Sequence, residues 1–170
     1  LEKRGIAFRN EQKLQDLSTE PIARLIVDFL SVLYGAREPD AYIRLMELLV
    51  TLGFDGDDPS KSRADWQRYF DQQRVKALSS GQGDTGITGI WENVRRFLKR
   101  IGRDRIASLS SDYEQGDRLN ELVKETKERL SELLLETPDL NLALTRFSDD
   151  RVVRIMTIHK SKGLEFDSVV

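Results

Sequence analysis

Cysteine is absent from this chain of 170 residues, so disulfides and thiolate-based zinc sites are excluded. That fits a reducing compartment. Long apolar runs are missing too. None approaches the ~20 residues that a membrane-spanning helix needs, and LEKRGIAFRN at the start does not have the build of a signal peptide. No membrane partner is expected, and the expected location is cytoplasmic. The chain also lacks a dominant charge sign. Its formal net charge is −2, so nucleic-acid binding would have to use a local patch. Proline occurs only four times, each time at a place where a helix starts. With 39% hydrophobic and 33% charged residues, the chain can bury a core, and its profile is globular rather than disordered. Its length suits one domain, or one domain and part of another.

The periodicity gives a run of helices. Leu1 to Arg4 read as the last turn of one, stopped by Gly5, and Ile6-Ala7-Phe8 as a short strand. After a polar loop, Ser18-Thr19-Glu20-Pro21 is a helix start, with Ser or Thr as N-cap and Glu and Pro in the first turn. Ile22, Leu25, Ile26, Phe29, Leu30 and Leu33 then form a buried stripe that ends at Gly35. Pro39-Asp40 opens the next helix, with Tyr42, Leu45, Met46, Leu48, Leu49 and Leu52 on its apolar side. A third, about 61–79, is capped by residues 58–60 and packs through Trp66, Tyr69, Phe70 and Val75. A fourth, 87–101, turns Ile90, Trp91, Val94, Phe97, Leu98 and Ile101 inward. The longest, 117–136, carries Leu119, Leu122, Val123, Leu130, Leu133 and Leu134, with Glu125 and Arg129 as a favourable i,i+4 pair. Leu140, Leu142, Leu144 and Phe147 belong to a short helix or an apolar turn. Trp66 and Trp91 lie on apolar stripes and are expected to pack rather than to stack on bases.

The loops carry little chemistry. FDGDDPS at 54–60 is acidic but lacks the ligand spacing and closing Glu of a calcium loop, so no metal site is expected. SSGQGDTG at 79–86 lacks the Gly-Lys-Ser/Thr ending of a phosphate loop. There is no Walker A loop, and no acidic Walker B motif follows a hydrophobic strand, so no catalytic residue is expected within the chain. The fourth helix and the residues after it bear a basic cluster: Arg95, Arg96, Lys99, Arg100, Arg103 and Arg105, against Glu92 and Asp104. Taken alone, such a cluster is a solvated helix face. Residues 112–136 hold eight Asp or Glu against four Lys or Arg, which disfavours them as a DNA face.

The last twenty residues, RVVRIMTIHKSKGLEFDSVV, are of another kind. Val152, Val153, Ile155, Met156 and Ile158 are apolar on both alternating faces, as in a strand covered on both sides. The run then turns polar with Thr157, His159, Lys160, Ser161, Lys162 and Gly163, as at the ligand-facing edge of an open α/β sheet. Strand-like signals thus stand at both ends, with about six helices between them. Two such strands can pair in one sheet when a whole domain is inserted between them. The expected fold is mainly α: a helical insertion flanked by strands and a helix of an incomplete α/β domain. The chain is expected to be a piece of a larger protein.

TIHKSKGLEF at 157–166 resembles motif V of superfamily 1 DNA helicases of the UvrD/Rep/PcrA type, and equally of the RecB and AddA proteins. Their pattern is a strand ending in T-hydrophobic-H-x-x-K-G-L-E-F, matched here by Thr157, His159, Lys162, Gly163, Leu164, Glu165 and Phe166. In that family a second RecA-like motor domain (2A) is interrupted before motif V by a mainly helical domain (2B). The resemblance implies residues 1–34 and 148–170 as motor-domain pieces and 35–147 as the 2B-like insertion. It implies that Thr157 and His159 approach single-stranded DNA, and that Gly163 and Glu165 lie at the ATP cleft. The chemistry agrees. A hydroxyl and an imidazole N–H donate to phosphate oxygens, glycine lets the backbone approach a phosphate, and a carboxylate accepts from ribose hydroxyls. In such an insertion, Arg95, Arg96, Lys99 and Arg100 would touch duplex junction DNA, with the solvated face as the alternative. ATP and Mg²⁺ are the implied cofactors of the whole enzyme, with neither held tightly by this piece. Partner subunits and a nucleoid-associated, bacterial-type setting in repair or recombination are implied as well. A second reading is a helicase-like subunit with a degenerate motor, serving as a DNA-binding or protein-interaction module. A third, a stand-alone helical interaction domain, leaves the polar strand end unexplained.

Overall fold

The computed structural model describes residues 8–10, 17–35, 38–53, 58–79, 87–114, 117–148 and 153–155. Among these the chain is mainly helical. Helices α1 (Pro21–Tyr34), α2 (Pro39–Thr51), α3 (Pro59–Ser79), α4 (Ile87–Ile101), α5 (Arg103–Ala107), α6 (Arg118–Glu136) and α7 (Leu140–Ser148) follow one another, with short 3₁₀ turns at Leu17–Thr19 and Ser111–Tyr113. Strands β1 (Phe8–Asn10) and β2 (Val153–Ile155) pair in parallel, Phe8 opposite Val153 and Asn10 opposite Ile155. A ladder of two three-residue strands does not by itself identify a fold.

Helix α1 is the centre of the helical core. Eight of its 14 residues are buried, Ala23 and Val27 among them. It packs against α2, α3, α4, α6 and α7, which is why it is apolar nearly all round and not along one stripe. Aromatic rings fill the space between α1, α3 and α4. Phe29 stacks on Phe97 with centroids 4.0 Å apart, and Phe70 approaches both at 6.4 and 6.3 Å. Tryptophans 66 and 91 are each only 7% exposed, so they belong to the core.

Helix ends follow the turn chemistry with some departures. The prolines at 21, 39 and 59 open α1, α2 and α3, where their missing N–H has no intrahelical partner to lose. Asp58 Oδ1 accepts from the Ser60 N–H at 2.9 Å, and Asp139 Oδ1 accepts from the Asn141 and Leu142 N–H groups at 2.8 and 3.2 Å. The cap of α1 is neither Ser18 nor Thr19, since residues 17–19 form a 3₁₀ turn and Glu20 is the N-cap without a side-chain cap bond. The Ile22 N–H instead donates to the Tyr113 hydroxyl at 3.4 Å, 91 positions away. That hydroxyl donates to Glu20 Oε2 at 2.9 Å, and Arg118 Nη2 donates to Glu20 Oε1 at 3.1 Å. Gly35 closes α1 in an extended conformation, φ −69°, not a left-handed one. A Cβ there would run into the Ser31 carbonyl oxygen and the Glu38 side chain.

Two local expectations are corrected. Val75 is 62% exposed. The helical period carries the inward face of α3 from Phe70 to positions 73 and 77, so position 75 turns to solvent. Arg129 pairs with Glu132 at 3.1 Å and not with Glu125.

Candidate nucleic-acid interface

Helix α4 presents its two sides to different surroundings. Ile90, Trp91, Val94, Phe97 and Ile101 are buried, while Arg95, Arg96, Lys99 and Arg100 are exposed. Lys99 and Arg100 stand in its last turn, where cations complement the negative end of the helix dipole. Gly102 then takes φ +95°, a conformation that disfavours side chains, and the chain re-enters a helix at Arg103. This turn continues the basic surface from α4 into α5.

The four guanidinium and ammonium groups of α4 are not equivalent. Arg95 and Arg96 share one carboxylate: Glu92 lies 3.7 Å from Arg95 Nη1 and 3.5 Å from Arg96 Nε. Exposed pairs of this length contribute little, about 0–1 kcal/mol. Arg100 does something else. Its Cζ lies 5.0 Å from the Trp66 ring centroid and 4.7 Å from that of Tyr69, in the corner of two rings that meet edge to face on α3. Neither Arg100 nor Lys99 has an acidic partner among the described residues. The Tyr69 hydroxyl is buried without a hydrogen-bond partner among the described residues, and burial pushes its pKa up while Arg100 and Arg96 pull it back. On α6, Lys127 reaches over Trp91 at 5.9 Å.

The residues named from the sequence thus divide. Arg95, Arg96, Lys99 and Arg100 come together on one exposed face, and Arg103 follows beyond the turn. Thr157, His159, Gly163 and Glu165 lie outside the described residues. The aromatic seat of Arg100 was not legible beforehand. Trp66 and Tyr69 at i,i+3 announce two rings on one helix face, but the cation comes from another helix.

A cleft of about 410 Å³ lies between α1, α2 and α7. Two of its charged groups pair: Arg44 donates to both Asp28 carboxylate oxygens, at 2.5 and 3.2 Å, which raises the pKa of the guanidinium. Among the described residues no cluster of three or more His, Asp or Glu could hold a metal ion, and no helix is long and apolar enough to cross a membrane.

The family model described as "UvrD-like helicase C-terminal domain" matches residues 58–170, well over half of the chain. The match spans α3 to β2 and the TIHKSKGLEF segment beyond. No curated protein and no solved structure matches the chain.

Proposed function

The chain belongs to the family of UvrD-like helicase C-terminal domains, and from that premise we propose that it is part of an ATP-dependent superfamily 1 DNA helicase. In this reading, residues 35–147 are the helical insertion, and 1–34 and 148–170 are pieces of the second RecA-like motor domain. The observation that carries it is the dense match of Thr157, His159, Lys162, Gly163, Leu164, Glu165 and Phe166 to one motif, inside the family match. The mainly helical architecture ahead of that motif supports it.

The proposed division of labour follows from side-chain chemistry. Thr157 and His159 donate to phosphate oxygens of the single strand. Gly163 lets the backbone approach the nucleotide, and Glu165 accepts from its ribose hydroxyls. ATP with Mg²⁺ supplies the free energy of hydrolysis when bound. The chain's own part is to link occupancy of the cleft to the grip on DNA, because both residue pairs stand on one strand-to-loop turn. Arg95, Arg96, Lys99 and Arg100 face duplex DNA ahead of the motor. With no Walker A or B motif, this piece alone neither hydrolyses ATP nor unwinds DNA. Repair or recombination in the bacterial nucleoid is the setting the family type suggests.

Unwinding of a tailed duplex by the full-length protein tests the reading. Glu165→Ala should lower ATP turnover and unwinding together by about ten-fold or more, the loss of a charge-assisted contact to the ribose. Turnover and unwinding at wild-type rates would remove Glu165 from the cleft. A wild-type protein that binds DNA and never hydrolyses ATP would leave the binding-module reading.

A further inference from the structure

We infer that Arg100 is a pre-seated phosphate contact for duplex DNA, held in the corner of the Trp66 and Tyr69 rings. The inference rests on the reading of α4 as a DNA-facing surface, and it names which cation on that surface is built for the task.

The five N–H donors of a guanidinium lie in its plane, whereas attraction to a ring engages its face. Arg100 has both rings within 5.0 Å of Cζ, is exposed, and has no carboxylate partner among the described residues. Contact with the two rings, which stand at 88° to each other, therefore holds the side chain, and the exposed part of the guanidinium keeps donors for a phosphate. Ordering a long, rotamer-rich side chain on binding ordinarily costs about two- to twelve-fold in affinity. In Arg100 that ordering is already made by the fold. Arg95 and Arg96 differ, since a phosphate must first compete with Glu92 for them. Lys99 supplies a point charge without the planar fork.

The same rings decide between duplex and single strand. Binding of single strands uses aromatic faces on which bases stack. Here Trp66 and Trp91 are 7% exposed, and the Tyr69 ring is capped by Arg100. What this surface offers is charge without a stacking platform, which complements the backbone of a duplex.

The test is anisotropy of a labelled blunt duplex, and of a single strand of equal length, with the full-length protein across a salt series. Arg100→Gln should weaken duplex binding and lower the slope of log affinity against log salt by about one, as for one lost phosphate contact. Arg100→Lys keeps the charge and loses the planar guanidinium seated between the rings. It should keep the slope and still lose about two- to twelve-fold in affinity. Tyr69→Leu should resemble Arg100→Lys, with the unfolding midpoint of each variant measured alongside. Wild-type duplex affinity in Arg100→Lys or in Arg100→Gln overturns the inference, as does an equal loss on the single strand. Charge reversal at Arg95 and Arg96 separates the two levels. If it weakens duplex binding while the Arg100 variants do not, the seat is wrong and the DNA-facing surface stands. If it too leaves binding unchanged across salt, the surface reading fails as well.

Discussion

Tyr69 holds two roles that a single substitution can separate. Its ring helps seat Arg100, and its hydroxyl is buried without a partner among the described residues. An unpaired buried hydroxyl costs stability, while an aromatic face costs nothing to keep. Tyr69→Phe is therefore expected to leave the unfolding midpoint unchanged or to raise stability by up to about 2 kcal/mol, with duplex binding intact. A clear loss of stability in chemical denaturation would show that the oxygen has a partner. At this scale the sequence was informative where periodicity decides, as for Phe29, Phe97, Trp66 and Trp91, all buried as expected. It was silent where two helices must meet, as at Arg100. It misled at Val75, which is apolar but lies off the inward face of α3.

Helix α1 is held at both ends by side chains from other elements. The Tyr113 hydroxyl accepts from the Ile22 N–H and donates to Glu20, which Arg118 also holds. At the other end, Arg74 donates to the Gly35 carbonyl at 3.0 Å, and Asn93 donates to the Tyr34 hydroxyl at 2.7 Å. Burial, first of all, raises the pKa of the Tyr113 phenol, and the bond to Glu20 adds to that. A raised folded-state pKa means that Tyr113 contributes its stability in full below the unfolded value of about 10. That contribution is lost as pH rises further, because the unfolded phenol ionises first. Tyr113→Phe should cost about 1 kcal/mol at neutral pH through the lost cap. It should also flatten the fall in melting temperature above about pH 10, with only the smaller share of groups such as Tyr69 remaining. Parallel curves for the two proteins between pH 8 and 11 would contradict this. Helix spans were largely legible, because proline and capping chemistry are local: α4 runs over 87–101 as expected. Caps supplied from 91 residues away leave no local trace, and α5, five residues long, is too short to show a period.

For the molecule as a whole, the mainly α character follows from composition and periodicity, and the family follows from one dense motif. Helix α1 stands at a junction. By chain order it falls in the span proposed for the motor, and by packing it lies in the core with α2, α3, α4, α6 and α7. Periodicity alone does not resolve that, because it records that a helix is buried and not which neighbours bury it. In the proposed function the motif residues act through their chemistry: donors for phosphate at Thr157 and His159, a close approach and a ribose acceptor at Gly163 and Glu165. If this stretch couples nucleotide to DNA, removing one DNA-facing donor should break the coupling and spare the cleft. The direct measurement is steady-state ATP hydrolysis by the full-length protein, wild type and His159→Ala, with and without single-stranded DNA. The account predicts stimulation by DNA in the wild type, and in His159→Ala a preserved basal rate with stimulation reduced about ten-fold or more, the weight of a charge-assisted phosphate contact. Wild-type stimulation in His159→Ala, or no hydrolysis in the wild type at all, would contradict it.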